Sequence, residues 1–425
     1  MNTVARPQLA TLDLLIILMA KWYLLADAGN GILLSWLGLT IPLSALYKSL
    51  LLVLIGAALC RFAVSKLAWV LLLGLGLLAG PLYSWFLLGH QAGFSYDAGM
   101  VLKLLSPLLA ALYFFQLASR YPAAAKLALK QIFLTSFAIL VVNIVLGRLG
   151  FGFSAYLPND YLPDLNLGTK GYFKATNELS ALLLVLTGFL LALYWQSKKW
   201  AFTLIAGLAV FVASSMLTKT GMVGVLLLIV GIPLLQSRQF WQPYQRYVFG
   251  SLLLGSVLMA LLLWQLPWVL STLGVGAKLQ LVYQQQGLLG VLLSSRDLFA
   301  IDNWTLAEQY FSEWHRFAGI GVAGLGFYTT KPLAEIDPFD LMLWFGAAGV
   351  SYFVLWFALV IRQSLLGYLY QPTGVASGIL LVNLLLLLVA TLAGHTMTAG
   401  MLWIPWGMLN GAVWLYCSPD PHKDN

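Results

Sequence analysis

The chain has 425 residues, 61% of them hydrophobic and only 9% charged, with a formal net charge of +8. Soluble domains carry about 25% charged residues, so this composition excludes an ordinary water-soluble enzyme. Its apolar runs are continuous rather than alternating, which argues against a β-barrel. The two cysteines, Cys60 and Cys417, offer neither a disulfide framework nor a thiolate metal site.

A spanning helix needs roughly 20 mostly apolar residues. Twelve segments qualify in chain order: 9–27, 42–60, 67–88, 100–118, 125–147, 178–196, 200–215, 221–236, 247–266, 339–361, 374–393 and 397–416. The expected fold is an all-α polytopic membrane protein, one integral domain over 1–425 with about twelve transmembrane helices. The first segment is long enough to span, and no A-x-A-like cleavage site follows it. Basic residues gather beside one set of short connections, at Arg61, Lys66, Arg120, Lys126, Lys130, Lys198, Lys199 and Arg362. By the positive-inside rule that set and both termini are cytoplasmic, which puts loops 148–177 and 267–338 outside. This placement accounts for most of the positive charge, so the charge does not mark a nucleic-acid partner. Lys21, Lys48 and Lys103 fall inside or at the edge of spans; Lys103 is taken as a substrate-binding candidate. There is no six-plus-six repeat and the 197–199 connection is very short, which argues against a transporter built of two similar halves.

The polar mass lies late, in 294–349. Within loop 267–338, residues 273–293 are expected to form a helix on the membrane surface and 296–316 a second, more polar helix. Gly319, Gly321, Gly324 and Gly326 then mark a flexible turn region. Pro338 suits a first helical turn and Asp337 an N-cap. Asp337 and Asp340 share a helical face. Glu335 lies just outside that helix, where capping does not explain it. Carboxylates this close raise at least one pKa, which makes Glu335 the first choice for a general base and Asp337 the second. Gly346 and Gly349 are expected to serve close helix packing. Arg296 and Arg316 suit bidentate binding of phosphate oxygens, with His315 beside them; an Arg296–Asp297 pair is the structural alternative. Lys170, Lys278 and Lys331 read as surface cations.

Further polar groups sit at span ends facing the same side: Lys174, Asn177 and Glu178, then Lys219, then His395. Thr176 or Asn177 can cap the following helix, with Glu178 favoured by its dipole. Ionisable groups at membrane depth are nonetheless functional candidates. The chain has no P-loop, nucleophile elbow or H-E-x-x-H motif. His90, His315, His395 and His422 are too scattered for a metal site.

Five stretches then fall in a familiar order: Lys174-Ala-Thr-Asn-Glu-Leu-Ser180, Thr218-Lys-Thr-Gly221, Ser294-Ser-Arg-Asp297, Glu335-x-Asp337-x-x-Asp340 with Gly346-x-x-Gly349, and Gly394-His395 with Gly400. With them the chain resembles the O-antigen ligase and polymerase superfamily of bacterial envelope glycosyltransferases, which includes the Wzy-type repeat-unit polymerases. The resemblance implies a GT-C-type fold in the bacterial inner membrane, with a periplasmic loop capping the active site. It implies a glycan donor on undecaprenyl diphosphate. The acceptor is the sugar hydroxyl of a second lipid-linked repeat in a polymerase, or of lipid A-core in a ligase. It implies no metal or other cofactor, arginines that meet the departing diphosphate, inversion at the anomeric carbon and a chain-length regulator as partner. Carried onto this sequence, Glu335, Asp337, Arg296 and His315 are the catalytic candidates. Arg316, Asp340, Lys174, Asn177, Glu178, Lys219, Lys103 and His395 are the substrate-binding ones. Ligases carry a His-Asn pair where this chain has Glu335, which favours the polymerase. A lipid-linked oligosaccharide flippase is the alternative of another class.

Overall fold

The structure, a computed structural model, describes residues 9–89, 93–156, 167–237, 290, 296–372, 374–392 and 394–416. The described residues are almost entirely helical. In the first half, α1 (Thr11–Leu37), α2 (Leu43–Phe62), α3 (Val64–Leu77), α4 (Ala79–Leu88), α5 (Phe94–Arg120) and α6 (Pro122–Arg148) lead to a short hairpin, β1 (Phe153–Tyr156) and β2 (Leu167–Gly171). Then come α7 (Thr176–Trp195), α8 (Lys199–Met216) and α9 (Lys219–Gln236). The later part holds three short helices, α10 (Arg296–Tyr310), α11 (Glu313–Ala318) and α12 (Val322–Gly326). It closes with α13 (Asp337–Tyr370), α14 (Ala376–Leu392), α15 (Trp403–Gly411) and a 3-10 turn, Val413–Tyr416.

Seven of these helices are long and apolar enough to cross a membrane: α2, α5, α6, α7, α8, α9 and α13. The pair α3 and α4, bent by 42°, makes an eighth if counted as one span. The chain is thus a polytopic helical membrane protein. The expected segment 67–88 is this bent pair, and α1 runs ten residues past its expected end to a left-handed Gly38. The expected last span, 397–416, is irregular before α15 begins. The expected span 247–266 and, apart from residue 290, the expected surface helix 273–293 lie outside the described residues. The 296–316 helix is two helices, because Ser312 caps α11 and restarts the chain there.

Continuous apolar runs form spans because lipid leaves backbone groups no partner except one another. α7 is buried on every face from Leu179 to Ala192 and forms the centre, packed by α6, α8, α9 and α14. α15 packs on α5, and α14 on α13. Asn383, Trp406 and Asn410 knit α14 to α15 inside this core, with Trp406 Nε1 donating to Asn383 Oδ1 at 2.9 Å. The hairpin, unforeseen in the sequence, is antiparallel. It is fixed to α6 by Asn143, which donates to Lys170 O at 2.9 Å and accepts from Tyr172 N at 2.8 Å.

The arrangement that positions the late polar region is a break in α13. Gly346 has φ 60° and ψ −147°, which only glycine adopts freely. A continuous helix would satisfy the Leu343 and Trp344 carbonyls through Ala347 and Ala348. Here Ile320 N and Gly321 N donate to them, each at 2.9 Å. A Cβ on Gly346 would collide with the Phe317 carbonyl. Gly346 therefore does more than allow packing: it opens the helix for a loop. On the loop's other side Ser84 of α4 donates to Ile320 O at 3.0 Å. Asp97 of α5 accepts from Ala323 N at 3.0 Å.

Candidate functional site

Downstream of this latch, residues 329–340 are held by a series of backbone and side-chain hydrogen bonds. Asp340 turns back and accepts from the N–H groups of Ala334 (2.9 Å), Glu335 (2.9 Å) and Ile336 (3.3 Å). That grip forces Glu335 to φ 63°, a left-handed conformation costly for a residue with a side chain. The strained residue presents its carboxylate to two elements. Arg296, at the start of α10, donates Nε (3.1 Å) and Nη2 (2.8 Å) to Oε2. Asn177, at the start of α7, donates Nδ2 to the same oxygen at 3.1 Å. All three donors converge on Oε2. Among the described residues Oε1 has no partner, and the side chain is 30% exposed. Arg296 thus pairs with Glu335 rather than Asp297, whose proximity in sequence had suggested the alternative.

Asp337 is buried and fully engaged. It accepts from Thr396 N (2.8 Å), Thr396 Oγ1 (2.9 Å) and Met397 N (3.1 Å), with His395 Nδ1 at 3.3 Å. It caps no helix of its own: α13 has no side-chain cap. The donors come instead from the unwound stretch between α14 and α15. Nor do Thr176 and Asn177 cap α7 by a side chain. Burial would depress the His395 imidazole. The hydrogen bond and charge of Asp337, with Asp340 and Glu335 behind it, outweigh that and raise its pKa above the ordinary value. Its Nε2 lies 3.9 Å from Asp340 Oδ2.

A second group of charges sits behind the same stretch. Lys48 of α2 binds Asp27 of α1 at 2.7 Å, and Ser44 also donates to Asp27. Glu178, next to Asn177, accepts from Met401 N at 3.2 Å and feels the charges of Lys48, Lys103 and Asp27. Tyr23 holds Met401 O at 2.9 Å. The stretch 394–401 thus separates an outer group (Arg296, Glu335, Asn177, Asp337, Asp340, His395) from an inner one (Asp27, Lys48, Lys103, Glu178). At a third junction Ser180 and Thr218 share a hydrogen bond of 2.7 Å, which ties the 174–180 and 218–221 stretches together.

Other candidates stand apart. Arg316 pairs with Glu308 at 3.4 Å and lies over Trp304. His315 bonds Ser312 Oγ at 2.6 Å and packs on Tyr83, with burial lowering its pKa. Lys174 is exposed, and Lys219 opens α9 beside its Thr218 cap. Among the described residues no three His, Cys, Asp or Glu side chains are grouped to hold a metal ion.

Three site neighbours escaped the sequence reading. Asp27 lies within an apolar segment and Lys48 at a span edge; Lys331 is exposed, as a surface cation would be, and only its contacts with Phe299 and Asn303 are not legible in the sequence. Only the intramembrane position of the first two could have flagged them. Compared with family models, with curated proteins and with solved structures, the chain matches none of them.

Proposed function

We propose that the protein is a polysaccharide polymerase of the bacterial inner membrane, a metal-independent, inverting enzyme of the O-antigen ligase and polymerase superfamily with a GT-C-type fold. It transfers a glycan from undecaprenyl diphosphate to the sugar hydroxyl of another lipid-linked repeat on the periplasmic face. The observation that carries this reading is the Glu335 carboxylate. Its backbone is strained, and the carboxylate is anchored through one oxygen by Arg296 and Asn177 and, among the described residues, free at the other. A carboxylate held in this way is prepared to take a proton at one defined point.

In the step proposed, the acceptor hydroxyl oxygen attacks the anomeric carbon and its proton passes to Glu335 Oε1. The bond from that carbon to the diphosphate oxygen breaks, and its electron pair leaves with the diphosphate. Arg296 keeps Nη1 uncommitted among the described residues and faces that growing charge. Asp337 and Asp340 are saturated with donors and act as positioning residues. Arg316 and His315, engaged elsewhere, drop out of the transfer.

Two other readings remain defined. A ligase would use the same chemistry on lipid A-core, and Glu335 standing where ligases carry His-Asn argues against it. A lipid-linked oligosaccharide flippase gains one observation, the inner charges drawn from α1, α2, α5 and α7. Purified protein supplied with lipid-linked repeats separates the classes. The polymerase reading expects longer glycans on the carrier. It expects Glu335→Gln to slow their formation about 10²- to 10⁴-fold, the usual worth of a general base. Arg296→Ala is expected to cost about 10²- to 10³-fold. Movement of the lipid across vesicles with no new glycosidic bond would reverse the assignment.

A further inference from the structure

One face of α10 runs Arg296, Phe299, Asn303, and every residue of it touches the site. Arg296 grips Glu335. Phe299 carries the Lys331 ammonium on its ring, with Nζ 3.4 Å from the ring centroid. Asn303, itself buried, donates to Lys331 O at 3.3 Å. The Lys331 N–H donates in turn to Thr329 Oγ1 at 3.2 Å. Pro332 follows, with its carbonyl held by Trp344 Nε1 at 3.2 Å. A lysine that merely meets solvent has no need of a fixed N–H, a fixed carbonyl and an aromatic seat for its charge. Lys331 has all three, and its charge is coupled to Glu335, Arg296 and Asp340.

The charge balance says what such a lysine does. Arg296 is compensated by Glu335, and Asp340 is quenched by three backbone donors. A diphosphate departing with an extra electron pair therefore needs a cation that no carboxylate of the site has neutralised by direct contact. Among the described residues Lys331 makes no ion pair.

We infer that Lys331 is a substrate-binding residue whose ammonium, seated on Phe299, pairs with Arg296 to hold a diphosphate group, that of the polyprenyl carrier. The inference rests on the polymerase reading for the identity of the carrier, but the anion site can be tested without it. Partial desolvation lowers the Lys331 pKa from the ordinary lysine value, although the residue as a whole is exposed.

The test is calorimetric titration of the intact protein in detergent with inorganic pyrophosphate, alongside polymer formation from lipid-linked repeats. Lys331→Met is expected to weaken pyrophosphate binding at least 10-fold with an unchanged melting temperature. Lys331→Arg should stay within about 3-fold of the parent, and Phe299→Leu should lose part of the affinity. Unaltered binding by Lys331→Met, or no binding by the parent protein, overturns the inference. If the parent binds pyrophosphate through Lys331 but joins no repeats, the site stands and the polymerase reading falls. If the parent joins repeats and Lys331→Met joins them equally fast, the reading stands and the inference falls.

Discussion

The Asp337–His395 contact is where a single proton has the widest reach. The imidazole belongs to the unwound stretch between α14 and α15, and Asp337, Asp340 and Glu335 belong to α13 or the turn before it. Arg296 and Lys331 are the nearby cations on α10 and the 329–336 segment. Because the folded pKa of His395 is raised, its stabilisation is complete below the unfolded value of about 6.5 and fades as pH rises through the folded value. Melting temperature should therefore fall as pH climbs across that window, and His395→Gln should flatten the fall. A slope unaltered by the substitution would show that another group sets it. This pairing was only partly legible. Both residues stood out as polar groups at span ends, but nothing in the sequence says that the 394–397 backbone reaches Asp337. Asp337 beside Pro338 reads locally as a cap, and a tertiary contact took over its acceptor capacity.

At the scale of elements, the spans were legible because a lipid-facing helix must be apolar along its whole length. Expected and observed helices agree for 42–60, 100–118 and 221–236 to within a turn or two. The break in α13 was not legible. Gly346 sits in an apolar run like any packing glycine, and only the loop 318–321 lying in the gap reveals its conformation. The hairpin escaped for a similar reason, since two short strands in a long loop leave no periodic signal. Gly346→Ala combines a strained φ with a collision against Phe317 O, so a loss of about 3 kcal/mol or more is expected. Chemical denaturation in micelles would measure it. Activity should fall with it, because the same latch orients residues 329–340. An alanine variant as stable as the parent would mean that α13 closes into a regular helix and the loop detaches.

For the whole molecule, the two charge groups draw on the C-terminal part of α1, the N-terminal parts of α2, α5, α7, α10 and α13, and the α14–α15 connection. These ends can meet only if the helices alternate in direction, as a multi-pass chain does. The stretches at 174–180, 218–221, 335–340 and 394–400 lie far apart in sequence and gather at this one end, while the side chains of Arg316 and His315, which lie close to Arg296 in sequence, pair with Glu308 and Ser312 instead. Sequence proximity was the poorer guide because a cation is drawn to its nearest carboxylate, which is Glu308 for Arg316. Orientation can be read with thiols. Cys60 is exposed at the far end of α2. An impermeant maleimide added to intact cells should leave Cys60 unmodified until the membrane is opened. In a background with both cysteines replaced by serine, Lys174→Cys should react at once. The reverse pattern would turn the site to the cytoplasm.

The latch at Gly346 also bears on how the protein tolerates change. On the α13 side it is closed by backbone N–H and carbonyl groups, which any residue but proline supplies, so that beyond Gly346, Ser84 and Asp97 it asks little of side-chain identity. A loop secured in this way can exchange most of its surface residues while the backbone path stays fixed. If the proposed transfer holds, residues around the site can therefore change with the substrate without a fresh solution to folding.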